Sequence, residues 1–104
     1  MNLPNVITDL VKAQNDFDST AYIQCFAETA EVIDEGKTYK GKQEIKKWIE
    51  YANEHHRPLM NPIEYSIEGQ ALEAKVSGTF PGSPIVLTYY FDVKEDKIQS
   101  LKII

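Results

Sequence analysis

EVIDEGKTYKGKQEIKKWIEYA (residues 31–52) holds a hairpin, a helix and the one acidic side chain placed to sit inside a cavity, Asp34. Glu31 to Glu35 reads as a short strand, Gly36-Lys37 as a turn needing positive φ at its first central position, and Thr38 to Lys40 as the returning strand. Gly41 then opens a helix. Ile45, Trp48, Ile49 and Ala52 recur at three- and four-residue steps as one apolar stripe, with Lys42, Glu44, Lys46, Lys47 and Glu50 on the wet side.

Before this stretch, Pro4 suits a first helical position and Val6, Ile7, Leu10, Val11 and Phe17 form a helical stripe. Asp18 and Ser19 offer N-caps for a second helix, with Tyr22, Ile23, Cys25, Phe26 and Ala30 as its apolar face. The helix after Gly41 fades through His55, His56 and Arg57, whose side chains suit the negative end of a helix dipole, and Pro58 ends it.

Beyond Pro62 the period changes to two. Ile63, Tyr65 and Ile67 share a face, and a Gly69-Gln70 turn sets Ile67 opposite Leu72, Tyr65 opposite Ala74 and Ile63 opposite Val76. An even connection at Pro81–Pro84 sets Phe80 opposite Ile85, Gly78 opposite Leu87, Val76 opposite Tyr89 and Ala74 opposite Phe91. An even loop after Lys94 would bury Ser100 and Lys102. The pattern therefore predicts a three-residue connection with a bulge around Glu95–Lys97, pairing Phe91 with Leu101 and Tyr89 with Ile103. The other face is polar except for Val86 and Tyr90.

The 104 residues suit a single domain spanning 1–104, with 42% apolar and 26% charged side chains. A net charge of −5 lacks the positive field that would hold a phosphate backbone, so nucleic acid is not an expected partner. No apolar segment approaches membrane-spanning length, and a cytoplasmic protein is expected. The lone cysteine, Cys25, reads as a small buried hydrophobe. His55 and His56 are adjacent, so on a helix they diverge and cannot form the i, i+4 metal pair; no metal site is expected. Without a phosphate-cradling or dinucleotide-binding glycine motif, cofactor-free operation is the default.

The run Tyr22-Ile-Gln-Cys-Phe-Ala-Glu-Thr-Ala-Glu-Val-Ile-Asp34, followed by Gly41 and the Ile45, Trp48, Ile49 pattern, resembles the nuclear transport factor two-like superfamily, which includes ketosteroid isomerases and SnoaL-like cyclases. The resemblance implies a cone-shaped α+β fold, with three N-terminal helices packed on a curved antiparallel sheet of four long strands plus a short hairpin. It also implies a cavity lined by Phe26, Trp48, Ile49, Ile85, Leu87, Tyr89, Leu101 and Ile103, with Gly78 leaving a gap in the sheet face. The alternative is that these side chains simply fill the core.

Asp34 falls where the ketosteroid isomerases carry their general base, although an acidic pair next to glycine is also ordinary turn chemistry. The positions of that site's two oxyanion donors fall near Leu10 and on Leu87, so the resemblance does not extend to steroid isomerisation; Tyr22 and Tyr89 remain as donors from other positions. The expected function is binding of a small apolar molecule. The alternative is a cofactor-free isomerase- or cyclase-type enzyme acting on a small carbonyl compound through Asp34. The superfamily's habit of pairing through the outer sheet face implies a homodimer there, around Val86 and Tyr90.

Overall fold

A computed structural model describes residues 1–104. Three helices, α1 (Asn5–Asn15), α2 (Ser19–Gln24) and α3 (Gly41–His55), accompany six strands: β1 (Phe26–Asp34), β2 (Lys37–Lys40), β3 (Leu59–Ser66), β4 (Ala71–Ser77), β5 (Ile85–Lys94) and β6 (Lys97–Ile103). The strands form one sheet in the order β2-β1-β6-β5-β4-β3. All neighbours are antiparallel except β1 and β6, which run parallel. The expected antiparallel sheet with a separate hairpin is thus corrected: the hairpin joins the sheet, which is mixed and six-stranded.

The cause lies in β1. Phe26 and Ala30 are four residues apart and both fully buried, which mimics a helical stripe and is why Tyr22–Ala30 reads as one helix. The helix stops at Gln24, and Ile98 donates its backbone N–H to the Cys25 carbonyl (2.8 Å), drawing the chain into the sheet. An irregularity between Phe26 and Glu31 breaks the two-residue alternation and gives the four-residue spacing. From Ala30 on, Ala30 and Val32 are buried and Asp34 continues the same face.

The hairpin turn is Glu35-Gly36, one residue earlier than expected, with φ of 52° and 77° and Asp34 opposite Lys37. Between β3 and β4, Ser66 pairs with Ala71, so the loop has four residues instead of two. A bulge between Pro62 and Glu64 then sets Met60 opposite Val76, and Ile63 and Ile67 are exposed instead of inward. Proline cannot donate to a ladder, which places the irregularity there.

The β4–β5 register also differs: Val76 faces Ile85 and Leu72 faces Tyr89. The four-residue shift keeps parity and therefore the face. Residues 78–84 leave the sheet to dock on the end of α3, where Thr79 N–H donates to the His56 carbonyl (2.8 Å) and the Phe80 ring meets the His56 ring edge-on. Gly78 is consequently no gap in the sheet; a Cβ there would lie 2.3 Å from the His56 carbonyl oxygen.

At β5–β6, Phe91 pairs with Leu101 and Tyr89 with Ile103, as predicted. The parity change comes from within β6, where Asp92 faces Ser100 but Val93 faces Ile98, leaving Gln99 unpaired. The turn itself is the two residues Glu95-Asp96, both at positive φ, in place of the expected three.

The core lies between the helices and the inner sheet face, with Ile7, Leu10, Tyr22, Phe26, Ile45, Leu72, Ile98 and Leu101 almost wholly enclosed. Its two buried polar side chains satisfy each other: Gln14 Nε2 donates to Asn53 Oδ1 (3.0 Å) and to the Pro58 carbonyl (2.7 Å). Next to them, Asn15 donates to the Met60 carbonyl (2.9 Å) and accepts from the Met60 N–H (2.7 Å), a one-residue substitute for the strand that β3 lacks on its outer edge.

Candidate functional site

The register places one row of residues across the inner face: Asp34, Ile103, Tyr89, Leu72 and Tyr65, on β1, β6, β5, β4 and β3 in turn. Asp34 and Tyr89 are thus two strands apart, about 10 Å between backbones, close enough for long side chains to approach each other. Asp34 is the last residue of β1, so its carboxyl sits at the rim of the apolar face.

The helices close in from the other side. Trp48 of α3 donates its indole Nε1–H to Asp34 Oδ2 (3.3 Å). Its ring packs between Tyr39 of β2 (5.8 Å between centroids) and Tyr22 of α2 (6.3 Å), and Tyr22 packs in turn on Phe26 (5.5 Å). The result is an aromatic wall around one carboxyl. Burial pushes the Asp34 pKa up, the Trp48 N–H opposes that by favouring the charged form, and neighbouring Glu35 adds to the rise. Burial also raises Tyr22 and Tyr89 above the usual phenol range, and the Asp34 charge adds to both.

Of the residues expected to line a cavity, Phe26, Ile49, Tyr89 and Leu101 are buried in the core. Trp48, Leu87 and Ile103 are half-buried, and Ile85 is 43% exposed. Asp34, Trp48, Ile103 and Tyr89 come together; Leu87 and Ile85 continue along β5 past the end of β6, on the open rim. Tyr22 and Tyr39 complete the wall without having been counted in its lining. Tyr39 carried a signal, since it stands opposite Val32 in the hairpin. Tyr22 was hidden inside an apolar stripe.

A groove of about 340 Å³ is lined by Tyr39, Glu44, Lys47, Trp48 and Tyr51, without Asp34. A larger recess, about 560 Å³, lies away from Asp34 between α1, α2 and the β5–β6 turn. Its charged lining includes Lys12 and Asp16, already paired with each other at the surface, which makes it a poor place for an apolar molecule. Cys25 borders that recess, but burial pushes its thiol up to about 11, so little thiolate is present at neutral pH.

No protein-family model and no curated protein matches the sequence. Solved structures do. A candidate polyketide cyclase from Sinorhizobium meliloti is 36% identical, with a TM-score of 0.93 over 98% of this chain and 95% of that one. A protein of ketosteroid isomerase-like fold from Catenulispora acidiphila, solved with trimethylamine, is 18% identical with a TM-score of 0.86, covering 99% of this chain and 86% of that one. An epoxide hydrolase/cyclase-like enzyme of pyran-ring formation in the polyether salinomycin is 21% identical with a TM-score of 0.81, covering 95% and 86%.

Proposed function

This chain belongs to the nuclear transport factor two-like superfamily of SnoaL-like and ketosteroid isomerase-like proteins, and from that premise we propose that it binds a small, mainly apolar molecule at the rim beside Asp34. The observation that carries the reading is the half-buried Asp34 carboxyl, held by the Trp48 indole inside a wall of aromatic and aliphatic side chains. A carboxylate in such a place costs stability, and a binding site is a reason to keep it. Trp48 is the sole tryptophan, so its fluorescence reports directly on the site. Titration with small aromatic and alicyclic ketones is expected to quench it saturably, and a flat response into the millimolar range would count against the proposal.

The raised proton affinity of Asp34, together with the likeness to the Sinorhizobium protein, supports a second reading in which Asp34 removes a proton next to a carbonyl. Exchange of α-protons of a bound ketone for deuterium, followed by NMR and abolished in Asp34→Asn, is the outcome that reading requires.

The partner expected on the outer sheet face is a second copy of this chain. Val86 and Tyr90 are 54% and 43% exposed there, and the mixed polarity around them suits an interface of modest size. A cytoplasmic setting fits the single unreactive thiol. No helix is long and apolar enough to cross a membrane.

A further inference from the structure

The two edges of the sheet, β2 and β3, are guarded differently. β2 is four residues long and carries exposed Lys37 and Lys40, which discourage another strand from pairing there. On β3, the Asn15 side chain occupies the backbone of Met60, and Pro62 has no N–H to offer, so the first half of the strand is closed as well. Residues 63–67, Ile-Glu-Tyr-Ser-Ile, have neither device, and Ile63 and Ile67 are 45% and 79% exposed.

The ladder shows which backbone groups point outward in that stretch. Phe91 N–H donates to the Gln70 carbonyl (2.9 Å), so Gln70 bonds toward β5; by alternation Leu72 does too, whereas Ala71 and Glu73 bond toward β3. Their opposite numbers Ser66 and Glu64 are thereby engaged. Tyr65 stands opposite Leu72 and turns both its N–H and its C=O away from β4, to the open side of the sheet.

We infer that residues 63–67 pair antiparallel with the same residues of a second copy of this chain, around a two-fold axis beside Tyr65, joining two sheets edge to edge. The stretch is self-complementary about that axis. Ile63 of each copy falls opposite Ile67 of the other, Glu64 opposite Ser66, and Tyr65 opposite itself, where the outward N–H and C=O groups of the two copies bond each other. The exposed isoleucines cover one another, and no two like charges stand directly opposite. An unrelated strand could use the free backbone groups but would not meet this side-chain match, which is why the occupant is a second copy. The edge is separate from the outer face around Val86 and Tyr90 on β5. So short a stretch pairs weakly, at near-millimolar concentration.

Amide exchange followed by NMR in dilute and in near-millimolar protein tests the pairing. Exchange at Tyr65 is expected to slow at least about three-fold with concentration, while Glu64 and Ser66, already bonded to β4, stay constant. Ile67→Lys, a change at a solvent-facing position, should remove the concentration dependence, and Tyr90→Glu should leave it in place. Under mild oxidation, a mixture of Glu64→Cys and Ser66→Cys chains should cross-link several-fold faster than either variant alone, because the axis sets these exposed positions opposite each other. Concentration-independent exchange at Tyr65, an effect that persists in Ile67→Lys or vanishes in Tyr90→Glu, or a mixture that cross-links no faster than its components overturns the inference.

Discussion

The indole N–H of Trp48, on the second turn of α3, donates to the carboxyl of Asp34 at the end of β1, joining a helix to the strand that precedes it by one short hairpin. The bond favours the charged carboxylate while burial disfavours it, and burial wins, since the Asp34 pKa lies above its ordinary value of 3.8. The side chain is therefore held in one place in an environment that resists its ionisation, a combination suited to accepting a proton.

Asp34→Asn is expected to raise Tm at neutral pH. A carboxyl whose pKa is raised on folding contributes most to stability when protonated, below 3.8, and penalises the fold once pH has passed its folded value. The amide has no such penalty, so the gain should be greatest near pH 7 and vanish near pH 3. Thermal melts at the two pH values decide it; equal gains at both would show that the carboxyl is not strained. Any turnover should be lost in the same variant.

Gly78→Ala tests the docking of residues 78–84 on α3. The new methyl would meet the His56 carbonyl oxygen, which already accepts from Thr79 N–H, and backbone on both sides leaves little room to yield. A loss of about 2 kcal/mol is expected by urea denaturation, in the range of overpacked cores. A neutral result would mean that the segment is not held against the helix.

Asn15→Ala removes both hydrogen bonds to the Met60 backbone and should cost about 2 kcal/mol, with faster amide exchange at Met60. Asn15→Asp retains an acceptor for the Met60 N–H but loses the donor to its carbonyl, and should fall in between.

Cys25 should resist a disulfide reagent at pH 8 in the folded protein and react at once in denaturant, because burial keeps it a thiol up to about pH 11. Fast native labelling would contradict its burial.

Tyr90→Glu places a charge among the exposed apolar residues of the outer face and should shift a dimer toward monomer in light scattering. A wild-type protein that is monomeric at high micromolar concentration removes the basis for that expectation.

What the sequence made legible was governed by parity. Side chains alternate in strands, so any register error of two or four residues still places Leu72, Ala74, Val76, Tyr89 and Phe91 on the inner face, all of them buried. The demand that Leu101 point inward correctly required an odd residue near the last turn, but could not say whether the turn or the strand would supply it; Gln99 did. Loop length was illegible at 78–84 because its conformation answers to a helix end far away in sequence. Asp34 could be placed because hairpin and helix flank it closely. Its encirclement by Tyr22 could not, since Phe26 and Ala30 have a helical spacing within a strand.

The position of β6 bears on how this protein is made. β6, the sixth strand in chain order, is an inner one, flanked by β1 on one side and β5 on the other. Until it is made, the β1–β2 hairpin and the β3–β4–β5 meander are separate pieces of sheet, each with an open edge where β6 will pair. Pairs such as Val32 with Leu101 and Asp34 with Ile103 join residues 69 positions apart, so sheet closure waits until β6 has been made. The rim beside Asp34 is consequently assembled only when β6 joins β1, and chains that have not yet made β6 pass through a stage in which their unpaired edges need shielding from one another.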